Sequence, residues 1–90
     1  MNLPGYSTPV FLEVSPSVIL RVPDVVAILD VTAVRAPATR EYLGYLRRRG
    51  LLEDLCFGAR TRSAVLCVRR AFLCPLSADT LRKRLALMRA

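Results

Sequence analysis

Thirteen of the fourteen basic side chains in this 90-residue chain are arginine, and several of them stand in pairs and runs. Phe57-Gly58-Ala59-Arg60-Thr61-Arg62 has the composition of a turn, with Gly58 at its hinge, and it offers three donors in Arg60, Thr61 and Arg62. Arg47, Arg48 and Arg49 close a helical pattern, and Arg69-Arg70 sits between two apolar runs. A guanidinium is a planar fork that meets a phosphate with two parallel hydrogen bonds, which an ammonium cannot do. The chemistry these residues offer is therefore phosphate recognition. One cation in the last turn of a helix is accounted for by the helix dipole, but three are more than it needs. The charge is also lopsided. Residues 1–34 hold one basic and three acidic side chains, whereas residues 35–90 hold thirteen basic and four acidic ones, a balance of +9. An arginine-rich half of this kind points to a nucleic-acid partner.

Catalytic chemistry has little to work with. There is no histidine, so neither a Ser-His nor a Cys-His pair is possible. Glu53 and Asp54 are adjacent, and in a strand adjacent side chains point to opposite faces. Gly58-Ala-Arg-Thr-Arg lacks the length and the lysine of a phosphate-binding loop. The cysteines, Cys56, Cys67 and Cys74, are odd in number and form no C-x-x-C spacing. Zinc usually takes four ligands from Cys, His or carboxylate, so these thiols read as small apolar residues in strands. The expectation is no catalytic residue, no cofactor, no metal and no small-molecule substrate.

The elements that must position the arginines follow from apolar patterning. Residues 1–9, with Pro4, Gly5 and Pro9, read as a loose arm, and residues 10–90 as one domain. Val10–Val14 and Val18–Val22 read as strands of a hairpin about the turn Ser15-Pro16-Ser17, and Val25–Val31 as a further strand after the break at Pro23-Asp24. A central helix is expected from Pro37 to Arg49. Proline suits its first turn, Gly50 suits the position after its end, and Ala38, Tyr42, Leu43 and Leu46 form one face. Leu51–Cys56 reads as a poorly patterned strand, and Ser63–Val68 with Ala71–Cys74 as a β-hairpin. A C-terminal helix starts at the cap Ser77, with Asp79 in its first turn and a Leu76–Leu81 staple. Leu81, Leu85 and Met88 form its apolar face. The fold class expected is α+β: a small single domain with antiparallel strands, a central helix, a β-hairpin and a C-terminal helix.

Hydrophobic residues make up 53% of the chain, a high share for a small monomer, so part of the apolar surface is expected to meet other subunits. No uncharged run approaches the roughly 18 residues a membrane span requires. Met1–Val10 lacks a basic start and carries Pro4 and Gly5 where the apolar core of a signal peptide belongs. The expectation is a cytoplasmic homo-oligomer with no membrane partner.

Three segments carry a resemblance. Asp24-Val25-Val26-Ala27-Ile28-Leu29-Asp30, Phe57–Arg62 with the strand after it, and Cys74-Pro75-Leu76-Ser77-Ala78-Asp79-Thr80-Leu81-Arg82-Lys83-Arg84 resemble, in order and spacing, the bacterial extracellular-matrix (biofilm) regulators of the RemA/RemB family. With Arg49-Gly50 between them, the resemblance covers about residues 10–85 and lies nearer the RemB type. It implies a transcriptional activator of matrix genes that binds double-stranded DNA as a ring-like homo-oligomer. It also implies that Arg60 and Arg62 contact DNA. Ala59 stands where RemA-type members have a second arginine, and Asp24 where they have a further one. DNA contact would then draw on Arg47, Arg48, Arg49, Arg69 and Arg70. Binding is expected to be electrostatic and salt-dependent. The competing expectation is an oligomeric protein-interaction module that does not touch DNA.

Overall fold

The computed structural model describes residues 11–88. The arm at 1–9, the strand start at Val10 and the side chain of Met88 lie outside the described residues. In β1 (Phe11–Ser15), Leu12 and Val14 are buried and Phe11 and Glu13 exposed, the alternation of a strand with one face inward. It pairs antiparallel with β2 (Val18–Arg21), with a register shift between Glu13 and Ser15. A 3₁₀ turn at Val22–Asp24 holds Pro23 and delivers the chain to β3 (Val25–Asp30).

Val31 leaves the strand assigned to it by its β-branched character. Asp30 caps a short helix, α1 (Val31–Arg35), accepting from the Ala33 N–H at 2.9 Å. Pro37 then begins the central helix α2 (Pro37–Arg48). Gly50 takes φ +72° after its end and donates its N–H to Arg47 at 3.0 Å. The apolar face of α2 is not the expected one. Leu43 and Leu46 are buried with half-buried Thr39, at the spacing i, i+4, i+7, whereas Ala38 and Tyr42 are exposed. Those two lie about 100° round the helix from the buried line, on the solvent side.

Strand β4 covers Leu52–Asp54, shorter than the expected Leu51–Cys56, because the Cys56 N–H turns to the Asp54 carboxylate at 2.8 Å. Strands β5 (Ser63–Cys67) and β6 (Ala71–Cys74) form the expected hairpin. Val68 falls outside it, exposed at the tip beside Arg69, where the Cys67 N–H meets the Arg70 carbonyl at 2.8 Å. The main sheet runs β3-β5-β6-β4, antiparallel except for a parallel β4–β6 pair. The domain is therefore α+β as expected, with one parallel pair among its antiparallel strands.

Both faces of this sheet are covered. Val65, Cys67, Phe72 and Cys74 face β1 and the C-terminal helix α3 (Ala78–Met88), packing with Leu12, Val14 and Leu81. Ala64, Ala71 and Leu73 face α2 and pack with Leu43 and Leu46. Helix α2 crosses that face, carrying the chain from β3 at one edge to β4 at the other. Three bonds fasten the opposite layer. The buried Ser63 hydroxyl donates to the Leu76 carbonyl at 2.7 Å, Arg82 donates to Ile28 at 2.9 Å, and Arg84 donates to Glu13 at 2.8 Å.

Ser77 is the cap of α3: its hydroxyl accepts from the Thr80 N–H at 3.1 Å, and Leu76 and Leu81 join the same core. Replacing Ser77 by Ala removes that acceptor and is expected to lower stability by about 1 kcal/mol. Thermal unfolding should show a melting temperature lower by roughly 4–8 °C with the fold intact. An unchanged melting curve would contradict the cap.

Candidate nucleic-acid interface

The basic turn is built on a left-handed pair. The Ala59 N–H closes onto the Cys56 carbonyl at 2.9 Å, with Phe57 at φ +50° and Gly58 at φ +91° between them. Positive φ at both central residues is the pattern of a type I′ turn. Glycine adopts it freely, whereas phenylalanine does so at a cost of about 1 kcal/mol. The turn is also fastened beyond itself. Cys56 Sγ and Thr61 Oγ1 share a hydrogen bond at 3.4 Å, and the Arg62 N–H reaches the Cys74 carbonyl at 2.9 Å.

Arg60 and Arg62 are exposed, as a projecting turn requires. Thr61 is half-buried, and its hydroxyl is shared with Cys56, so it serves as an anchor of the turn more than as a third projecting donor. Two side chains outside the sequence-predicted set join the pair. Arg35 at the end of α1 and Arg82 on α3 line, with Arg60 and Arg62, a cleft of about 410 Å³ that also takes in the start of α3. On the far side of Thr61 a recess of about 320 Å³ is lined by Arg40 and Arg47 of α2. Six arginines from four parts of the chain thus gather about Thr61. Among the described residues one ion pair occurs, Arg82 with Asp79 at 3.6 Å, and it is largely exposed. Such a pair is worth little and leaves the surrounding positive charge almost intact.

The helix-end triplet does not act as one group. Arg47 joins the recess beside Thr61, whereas Arg49 lies over the ring of Tyr45, 5.1 Å from its centroid. Past Arg49, the Leu51 carbonyl accepts from the Ala71 N–H at 3.0 Å, so the end of α2 runs beside Arg70. Arg70 stands over the Phe72 ring at 5.8 Å. Arg69 and Arg70 line a hollow of about 530 Å³ with Arg21 and Asp24. This second basic end lies beyond the far end of β5. Val25 pairs with Cys67 there, and Asp30 with Ser63 beside the basic turn. A strand of that length spans about 17 Å. Asp24 therefore sits among Arg69 and Arg70, not opposite Arg60.

The sequence signal for Arg60 and Arg62 was their place in a glycine turn. Arg35 and Arg82 carry no local signal. They reach the cleft because the Asp30 cap turns α1 over the end of the sheet and the Ser77 cap starts α3 beside it.

The three thiols are free and buried. Cys67 and Cys74 lie in strands as expected, but Cys56 lies past the end of β4. Burial raises all three above the ordinary thiol value, and the neighbouring Cys56 and Asp54 add to the rise at Cys74, which is pushed up to about 11. Among the described residues no three Cys, Asp or Glu side chains gather closely enough to hold a metal ion, and no helix is long and apolar enough to cross a membrane. No protein-family model matches the chain, and no curated protein matches it closely enough to carry an assignment.

The raised value at Cys74 has a definite sign. The unfolded thiol loses its proton near the ordinary value of 9.0, while the folded one keeps it to about 11. The native state thus holds more protons across that window, and stability falls as pH rises through it. The loss is on the order of 2 kcal/mol by the top of the window. Denaturant midpoints followed through this range should fall for the wild type and fall less steeply for Cys74→Ala. Identical slopes would refute the assignment.

Proposed function

We propose that this chain is a DNA-binding regulator of transcription, without catalytic activity, that works in the cytoplasm as a homo-oligomer. The observation that carries the reading is the gathering of Arg35, Arg40, Arg47, Arg60, Arg62 and Arg82 about Thr61. Exposed guanidinium forks set around a hydrogen-bonded turn suit the spaced phosphates of a duplex backbone. Resemblance to the biofilm-matrix regulators supports the same reading and adds matrix genes as the target. No element presents an Asn, Gln and Arg array of the major-groove kind, so selectivity would come from DNA shape and from many sites acting together. Oligomerisation is supported by β3, an edge strand of the main sheet among the described residues, and by exposed apolar side chains, with Ile19, Val26 and Val68 more than 60% exposed. A catalytic role is disfavoured by the lack of histidine and by buried thiols held protonated.

Changing Arg60 and Arg62 together to Ala should weaken binding to all duplexes alike, because phosphate contacts carry no base information. The slope of log affinity against log salt should shrink by roughly 0.9 per contact, about two units for the pair. Folding should survive, since the bond from residue 62 to Cys74 is made by the backbone. The triple variant of Arg47, Arg48 and Arg49 is the comparison. A change in slope there alone would move the contact to α2, and no wild-type shift at low salt would leave an interaction module.

Light scattering should return a mass several times 10.0 kDa. A monomer throughout the micromolar range would refute the assembly.

A further inference from the structure

Phe57 is the most exposed large apolar side chain among the described residues, at 82% of its full area, and it stands at positive φ. The turn that holds it would form without strain if Asn or Gly stood there. Among the described residues the ring gains little burial to offset the strain. Among the described residues the ring lines, and does not fill, an apolar groove of about 570 Å³ that Val14, Leu55, Pro75 and Leu76 also line. An exposed aromatic held in a disfavoured conformation marks a contact made outside the chain. Its mount is stiff, because Cys56 is tied to Asp54, Ala59 to Cys56, and Cys56 to Thr61. Arg60 and Arg62 follow on the same turn, both exposed.

We infer that Phe57 is an apolar wedge that stacks on the bases of bound duplex DNA, opening one base step while Arg60 and Arg62 hold the adjoining phosphates. This rests on the DNA-binding reading and deepens it. A wedge needs an apolar side chain that cannot fold away, and cations within a few residues to grip the backbone on either side of the step. Phe57 has both. The inserted ring kinks the duplex, so the bend, and with it any preference for easily unstacked steps, is set by a side chain outside the arginine cluster.

The test uses the full chain and a mixed-sequence duplex of about 30 base pairs, with donor and acceptor dyes at its ends to report a bend. Two variants are compared with the wild type, Phe57→Ala and Phe57→Asn. Asparagine keeps the turn and relieves its strain, so Phe57→Asn should melt no lower than the wild type. The wild type should bring the dyes closer. Both variants should bind roughly tenfold more weakly and leave the duplex straighter. The salt slope should not change, because no phosphate contact is lost. Variants that bind and bend like the wild type would overturn the wedge while leaving the arginine reading standing. So would variants that lose assembled mass in light scattering, which would assign Phe57 to a second copy of the chain, or stacking confined to single strands. A wild type that binds no DNA at any salt would remove both readings together.

Discussion

The hairpin β5–β6 is apolar on both faces, and this is the constraint from which the rest of the architecture follows. All four residues of β6 and four of the five in β5 are buried. A strand buried on both sides needs a layer above and a layer below. On one side β1, β2 and α3 supply it, through Leu12, Val14 and Leu81; on the other α2 does, through Leu43 and Leu46. In so short a chain little remains beyond those two layers. Charge is therefore excluded from both faces of the sheet and collects at its ends, where the strands turn.

That exclusion explains the distribution of arginine better than any local motif. Arg60 and Arg62 lie before β5, and Arg69 and Arg70 after it, because there the backbone leaves the cover of the helices. Arg35 and Arg82 reach the first of these ends because α1 and α3 both start there under side-chain caps, and Arg40 reaches it from the early turns of α2. The two ends differ in character. Among the described residues only Arg82, at the first, is ion-paired. The first gathers six arginines with Asp30 and Asp79, whereas the second gathers Arg21, Arg69 and Arg70 with Asp24, and there Arg70 lies over Phe72. The first is thus the stronger field for a polyanion, because its net excess of positive charge is larger.

Much of the fold was legible in the sequence. The β1–β2 hairpin, the β5–β6 hairpin, α2 with Pro37 and Gly50 at its limits, and α3 with its Ser77 cap all follow from local turn and cap chemistry. What was not legible came from tertiary packing or from ambiguous local signals. Val31 and Val34 have the β-branched character of a strand, and only the Asp30 carboxylate bonding to Ala33 turns them into α1. Tyr42 satisfies a helical apolar pattern yet faces solvent, because the approach of the sheet selects the line through Leu43 and Leu46. The parallel seat of β4 leaves almost no mark on three residues. In the site, glycine and arginine in one turn announced Arg60 and Arg62. Arg35 and Arg82 are distant in sequence and meet only in the fold. The strain at Phe57 was equally hidden, since Phe-Gly carries no sign of two successive left-handed residues.

The parallel pairing of β4 with β6 also bears on the order in which the chain can assemble. Leu52–Asp54 find their partner in Ala71–Leu73, and β5 is made between them in time. When β4 leaves the ribosome its template does not yet exist. The β5–β6 hairpin closes locally, and only then can β4 dock along it and draw the end of α2 down through the Leu51–Ala71 bond. Until that moment the α2 face of the hairpin, with Ala64 and Leu73, is bare. Docking β4 on β6 closes a loop that contains all of β5, and the entropy of that closure must be met before the packing that rewards it. A chain that has not yet made this pairing leaves that apolar face uncovered.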